Sequence, residues 1–94
     1  MYKIDFKTST KKDFKNVNIS DIKFIRDSLR EFAEKFNDVY ENALMQKGII
    51  KKLKGQKEEI YRLKLRSFRV VYKKYEDKFI ILVVKVTTRE GAYK

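Results

Sequence analysis

The spacing of apolar and polar residues changes along the chain, and the changes predict its elements. Residues 2–6 alternate between apolar and polar side chains, which is typical of a half-buried strand. Thr10 with Asp13 fits a loose capping box, which predicts a short helix through Phe14. The stretch 16–18 then interrupts that helix.

A longer amphipathic helix is predicted next, with Ser20 or Asp21 as its N-cap. Its apolar residues recur at helical spacing, with charged residues between them: Ile22, Ile25, Leu29, Phe32, Ala33 and Phe36. The stretch 37–38 could end this helix, or the helix could run on through Leu44, and the sequence leaves both open. Gly48 ends whatever helix remains.

Three runs rich in Val, Ile, Leu, Phe and Tyr follow at 60–66, 68–75 and 79–87, and each is predicted to be a strand. The connections between them are short, which implies an antiparallel meander. The sequence therefore predicts one α+β domain over residues 1–94. Two N-terminal helices pack on one face of a small antiparallel sheet, in the order β-α-α-β-β-β.

The net charge of the chain indicates what kind of molecule it binds. The chain has 24 Lys and Arg against 13 Asp and Glu, a formal net charge of +11. On a domain of this size that excess attracts polyanions, so it favours contact with nucleic acid over a basic surface kept for solubility. No signal peptide and no apolar run long enough to span a bilayer are found, so a cytoplasmic protein without a membrane partner is expected.

The absence of Cys and His limits the chemistry. Without Cys there are no disulfides, thiol nucleophiles or zinc–thiolate sites. Without His, the commonest acid–base group and metal ligand is missing. Any catalysis would have to use Lys, Arg, Tyr or carboxylates, and we expect it to need neither a metal nor a cofactor.

Strand alternation predicts which basic side chains share a face. If residues 66–67 form a two-residue turn, Lys64 lies opposite Arg69. A three-residue turn at 76–78 would then align Lys85 with Arg69, and Val84 with Val70. The resulting cationic face would cover Val71, Ile81 and Val83 with the stems of its side chains. Its predicted members are Arg62, Lys64, Arg69, Lys85 and Arg89.

Cations placed directly opposite each other repel, so their retention indicates an anionic ligand rather than a solvated face. Arginine forks suit a phosphate whose charge grows during RNA cleavage. Lys64, or a tyrosine among cations, could act as the base in place of His. Tyr93 is the candidate tyrosine, although it could equally be an exposed terminal aromatic. Tyr2, Tyr61 and Tyr72 are assigned to packing.

Four segments resemble the bacterial RelE toxins: 53–55 (LKG), 60–66 (IYRLKLR), 68–72 (FRVVY) and the closing 88–94 (TREGAYK). The resemblance implies a ribosome-dependent endoribonuclease that enters the A site and cuts messenger RNA by attack of the 2′-hydroxyl. It implies four catalytic residues, which are Lys64, Arg69, Arg89 and Tyr93. The residues predicted to bind RNA are Arg62, Lys54, Lys52 and Lys85.

The resemblance also implies a cognate antitoxin as partner. Thr88 stands where many members have His, so a mechanism that depends on this His is excluded. Two alternatives remain within the same superfamily. One is a ParE-like toxin that inhibits DNA gyrase without cleaving RNA. The other is an inactive relative that only binds its antitoxin or RNA.

Overall fold

The computed structural model describes residues 1–53, 55 and 59–88, and within them five strands form one sheet with helices packed against it. The elements in chain order are β1 (Lys3–Phe6), α1 (Thr10–Asp13), α2 (Ile19–Lys35), α3 (Asp38–Gln46), β2 (Ile50–Leu53), β3 (Ile60–Leu65), β4 (Phe68–Tyr75) and β5 (Ile80–Thr88). The sheet order is β1-β5-β4-β3-β2. The predicted α+β class and the meander β3–β4–β5 are confirmed. The structure adds α3, the edge strand β2, and a parallel pairing of β1 with β5.

Helix α1 is present where it was predicted, but the capping box is wrong. Ser9 is the N-cap residue and makes no side-chain cap bond. The Thr10 hydroxyl donates instead to the Lys7 carbonyl at 2.6 Å. The Asp13 carboxylate reaches across to β5, where it accepts from the Val86 N–H at 2.9 Å. Asp13 therefore makes a tertiary hydrogen bond to β5 rather than the capping bond that the local sequence pattern predicts.

The N-cap of α2 is Asn18, so the prediction of Ser20 or Asp21 is wrong. The Asn18 side-chain oxygen accepts from the Asp21 backbone N–H at 2.9 Å, and the Asn18 amide donates back to the Asp21 carboxylate at 3.0 Å. Asn satisfies the first free N–H groups of a helix as well as Ser or Asp does. Asp21, in the first turn, completes the reciprocal pair.

The end of the second helix, left open by the sequence, is a break followed by a new helix. Asn37 is extended, and its side chain accepts from the Tyr40 N–H at 2.8 Å, which starts α3. Helix α3 ends at Gln46, and Gly48, which follows the C-cap residue Lys47, has a φ of +76°, the left-handed conformation that closes a helix. The Ile49 N–H then donates to the Leu44 carbonyl at 2.9 Å.

Helices α2 and α3 pack on the sheet face that carries Tyr61 and Tyr72, where the core lies. Tyr72 is fully buried and meets the rings of Phe32 and Phe36 edge-on. Tyr61 stacks on Tyr72 with ring centroids 5.4 Å apart. The assignment of these tyrosines to packing is confirmed. No helix in the described part of the chain is long and apolar enough to cross a membrane.

The predicted register is confirmed between β3 and β4 and is wrong between β4 and β5. Lys64 pairs with Arg69 as predicted. Across β4 and β5, however, the connection spans 76–79 and a bulge follows between Val71 and Tyr72. Lys85 therefore pairs with Val71 rather than with Arg69.

The longer connection and the bulge also change the predicted placement of Val70, Ile81 and Val83. Val70 pairs with Val86 instead of Val84. Ile81 and Val83, predicted under the cationic face, are completely buried in the core. A single-sequence alternation pattern cannot detect the extra residue of a bulge, because it assumes an unbroken period of two.

Candidate functional site

The sheet face that α2 and α3 leave uncovered, here called the open face, gathers basic side chains from four strands. Side chains that pair across a sheet point to the same side of it. The pairs Lys51 with Arg62, Lys64 with Arg69, and Val71 with Lys85 therefore share this face. By the same pleat its cations are Lys51, Arg62, Lys64, Arg69, Lys73 and Lys85.

Arg69 is the best-fixed cation of the open face. It is only 8% exposed, and its Nη1 donates to the carbonyls of Arg66 at 3.2 Å and Phe68 at 3.0 Å. Arg66 has φ +55°, a left-handed turn conformation. The Arg66 guanidinium lies 3.8 Å from the centre of the Phe24 ring, which ties the turn to α2. The guanidinium of Arg69 is thus held at the β3–β4 turn.

Lys64 is exposed beside Arg69 on the neighbouring strand. Directly opposed like charges weaken a strand pair, so this arrangement costs the sheet stability. Arg69 contributes a second positive charge directly next to Lys64. The pair forms a concentrated cationic point at the β3–β4 end of the open face.

Arg62 links the open face to the end of α3. Its Nη2 donates to the Gly48 carbonyl at 3.2 Å. Its Nε is buried and has no hydrogen-bond partner among the described residues. A buried N–H without an acceptor costs free energy, so an anion that supplied an acceptor there would be favoured.

Of the other residues predicted to bind RNA, the structure places one on the open face and one on the opposite face. Lys85 is exposed on the open face as expected. Lys52 is not: it pairs with buried Tyr61, which places it toward the helix-covered face. There its Nζ meets a Glu59 carboxylate oxygen at 3.0 Å, and that hydrogen bond raises the pKa of Lys52. Lys54, Arg89 and Tyr93 lie outside the described residues.

Lys51 and Lys73 are members of the open face that the sequence did not predict as site residues. Strand β2 went unpredicted because residues 50–53 read as apolar, two lysines, then apolar, which lacks the period of two. The two isoleucines at 49–50 were the available signal for a strand.

A buried polar cluster, also unpredicted, lies on the helix-covered side. Glu41 of α3 is 3% exposed, accepts from the Tyr72 hydroxyl at 2.7 Å and pairs with the Lys74 ammonium at 2.6 Å. Burial and the bond to Glu41 raise the pKa of Tyr72 well above its usual range. Burial alone would lower the pKa of Lys74, but the hydrogen bond and charge of Glu41 outweigh it and raise that pKa.

Comparisons with known proteins agree with this architecture. Residues 4–93 match the family described as the ParE toxin of type II toxin–antitoxin system, parDE. A curated relative from Methanocaldococcus jannaschii, which carries the name toxin RelE1, is 40% identical over 68 residues, covering 71% of this chain and 74% of the relative. The chain belongs to the RelE/ParE toxin family. It is a RelE-type toxin of a type II toxin–antitoxin system.

Solved structures show that the toxin shares its fold with RelE proteins. The RelE–RelB complex of Pyrococcus horikoshii OT3 matches with a TM-score of 0.66 at 18% identity, covering 94% of each chain. The intact RelBE complex of E. coli gives 0.65 at 23%, covering 94% of this chain and 96% of that one. The RelB–RelE complex of Methanococcus jannaschii gives 0.65 at 24%, covering 96% and 95%.

The toxin's open face suits charge stabilisation. It offers arginine and lysine donors, and the sequence contains no His. Among the described residues, no group of three or more carboxylates could hold a metal ion. What these side chains supply directly is positive charge and N–H donors for a phosphate.

Proposed function

We propose that this toxin cleaves messenger RNA on the ribosome by attack of the 2′-hydroxyl on the adjacent phosphorus. The observation that carries the proposal is the set of six cations that the described residues place on one open sheet face, with Lys64 paired directly to Arg69. A surface kept only for folding would avoid that repulsion. An RNA phosphate would relieve it.

The cleavage chemistry needs positive charge where the phosphorane forms. Arg69 is already held by the turn carbonyls, so its position changes little when RNA binds. Fixed donors of this kind typically contribute the largest share of transition-state stabilisation. We assign Lys64 to the phosphate or to proton transfer, and Arg62, Lys51 and Lys85 to the flanking backbone. Arg89 and Tyr93 are proposed, from the family resemblance, as the remaining catalytic pair.

Dependence on the ribosome follows from the weakness of the site as an acid–base catalyst. The chain has no His, and lysine and tyrosine titrate far above neutral pH in water. The isolated toxin therefore lacks a strong base at pH 7. A ribosome that held the message in line for attack would supply alignment, which can lower a barrier by several kcal/mol.

A cognate antitoxin is the proposed partner, because the similar solved structures from E. coli and M. jannaschii are described as toxin–antitoxin complexes. The described residues offer a place suited to an acidic amphipathic segment. A cavity of about 380 Å³ lies between the edge strand β1 and α2. It is lined by the apolar residues Tyr2, Ile4 and Phe6 and by the cations Arg26 and Arg30.

Inhibition of DNA gyrase is the second candidate, and the match to the ParE toxin family favours it. Gyrase inhibition requires a complementary protein surface rather than groups that stabilise a phosphorane. Paired cations on the open face would then be unnecessary. We therefore rank cleavage of RNA first.

The deciding experiment induces the toxin in cells and maps message ends by primer extension, beside a supercoiling assay with purified gyrase. Cuts within translated messages, with gyrase unaffected and free RNA cut poorly, are the expected result. Blocked supercoiling with intact messages would overturn the nuclease proposal. Growth without either effect would point to the inactive relative.

A matched pair of variants assigns the activity to the open face. Lys64→Ala removes one exposed lysine from the cluster, while Lys78→Ala removes one exposed lysine from the β4–β5 connection. The net charge changes equally in both. We expect Lys64→Ala to lose most cleavage and Lys78→Ala to keep it. Equal cleavage by the two variants would refute the assignment of the open face.

A further inference from the structure

Strand β5 continues beyond its neighbour β1. The parallel pair ends where Phe6 meets Val83, and the Lys7 N–H donates to the Val83 carbonyl at 2.8 Å. Strand β5 itself runs on to Thr88. Past Val83, a helix reaches this outer edge: the Asp13 carboxylate of α1 accepts from the Val86 N–H at 2.9 Å.

The β-bulge explains why Val86 is the residue that Asp13 meets. In a regular strand, backbone groups pointing to the same edge recur every second residue. After Val83, the next outward N–H would therefore belong to Lys85. The extra residue of the bulge shifts the period by one, so that Val86 points outward and toward Asp13. The bond to Asp13 is compatible with the bulged register and not with the regular one.

The register also decides which side chains face the proposed RNA. In the bulged form, Lys85 pairs with Val71 and Thr87 pairs with Arg69, so both lie on the open face. Without the bulge, Val84 and Val86 would take those places, and Lys85 would turn toward the helices. The burial of Val86, which is 4% exposed, opposes that slip, and the bond to Asp13 opposes it further.

We propose that Asp13 is a positioning residue for the RNA site, because its carboxylate holds the C-terminal half of β5 in the bulged register that presents Lys85 and Thr87 beside Arg69. This role rests on the proposed ribonuclease function. Two contacts with β1 and the residue after it hold α1 in place beside β5. The Thr10 hydroxyl is bonded to the Lys7 carbonyl, and the Phe14 ring packs edge-on against Phe6.

The test compares four variants of the toxin, one of which, Thr10→Val, loosens α1 and leaves Asp13 in place. Asp13→Ala removes the acceptor, and Asp13→Asn keeps an acceptor oxygen without the charge. Asp27→Ala removes an exposed carboxylate from α2, with the same change in net charge as Asp13→Ala. Amide hydrogen exchange at Val86 and Lys85 is followed by NMR. Message cleavage on ribosomes is measured as kcat and KM, with thermal unfolding as the check on folding.

We expect Asp13→Ala to speed exchange at Val86 at least about tenfold and to lower kcat with little change in KM. Asp13→Asn should restore most of both, and Asp27→Ala should leave both unchanged. Thr10→Val, which loosens α1 but keeps the Asp13 carboxylate, separates positioning from lost stability. If Thr10→Val lowers kcat as much as Asp13→Ala at equal loss of stability, the positioning role is overturned.

Two other results would overturn the proposal at different points. Unchanged exchange at Val86 in Asp13→Ala would show that the carboxylate does not hold the strand, whatever the toxin does to RNA. Faster exchange with normal cleavage would show that the strand is held but that its register does not matter for the reaction. A wild-type toxin that cuts no message would overturn the proposed function and the positioning role together. The exchange data would still show whether Asp13 holds β5 in its bulged register.

Discussion

At the scale of single residues, Arg69 shows how one side chain can serve structure and chemistry together. Its guanidinium donates to two carbonyls of the β3–β4 turn and is almost buried, yet it lies beside Lys64 on the open face. Sequence reasoning placed Arg69 opposite Lys64 because a two-residue turn fixes register. It could not foresee the burial, since the bend that brings the turn carbonyls to the guanidinium depends on the left-handed conformation of Arg66.

Replacing Arg69 should therefore affect both properties. We expect Arg69→Ala to fold but to lose about 1–3 kcal/mol of stability, because two turn carbonyls lose a donor. Cleavage should fall by a further factor equivalent to about 2–4 kcal/mol, by analogy with the loss of one preorganised donor. Thermal unfolding and message cleavage measure the two losses, and Arg69→Lys retains the charge without the fork. Full cleavage by Arg69→Ala would exclude the residue from the reaction.

At the scale of elements, the sequence predicted what local patterns determine. The bounds of β4 were predicted as they are found, because 68–75 is a strand-forming run between two clear turns. Strand β2 and the bulge were missed, since both depend on tertiary pairing. The attachment of α3 was missed for a similar reason. Its key residue, Glu41, is polar and reads as a solvent-facing position, but Tyr72 and Lys74 draw it into the core.

The attachment of α3 should depend strongly on Glu41. We expect Glu41→Ala to cost about 3 kcal/mol, because it leaves the largely buried ammonium of Lys74 to the exposed carboxylate of Glu76, 3.5 Å away. Tyr72→Phe removes one hydrogen bond and keeps the ring, so it should cost only about 1 kcal/mol. Urea unfolding of both variants tests the comparison. Equal losses would show that the ion pair with Lys74 contributes little beyond the tyrosine bond.

The same cluster predicts how stability changes with pH. The pKa values of Tyr72 and Lys74 are raised in the folded protein, so the folded state holds their protons more tightly than the unfolded state does. Their contribution is complete below the unfolded pKa values of about 10 and declines as pH rises above them. Tyr72→Phe should show a shallower decline in melting temperature above about pH 10 than wild type. Parallel curves for the two proteins would contradict this.

At the scale of the whole molecule, the net charge of +11 is distributed over more than one surface. Among the described residues, the open face carries six cations, whereas Arg26 and Arg30 line the cavity between β1 and α2, on the side of the sheet that the helices cover. Composition alone predicted an anionic partner. It could not predict two separate basic surfaces, because that requires knowing which face the helices cover.

Both surfaces should steer an acidic antitoxin segment toward the toxin. Opposite charges raise the rate of diffusional encounter, and salt screens that attraction over a Debye length of about 10 Å at 0.1 M. We expect the association rate constant to fall about tenfold or more between low salt and about 0.5 M salt, with a smaller change in the dissociation rate. Stopped-flow mixing of toxin and antitoxin over a series of salt concentrations measures both.

Variants show which basic surface directs the encounter. Replacing Arg26 and Arg30 with Gln should weaken the salt dependence of the association rate if the segment approaches along β1. Replacing Lys64 and Lys85 should weaken it if the open face directs the encounter. An association rate that did not change with salt would show that the excess charge serves RNA alone.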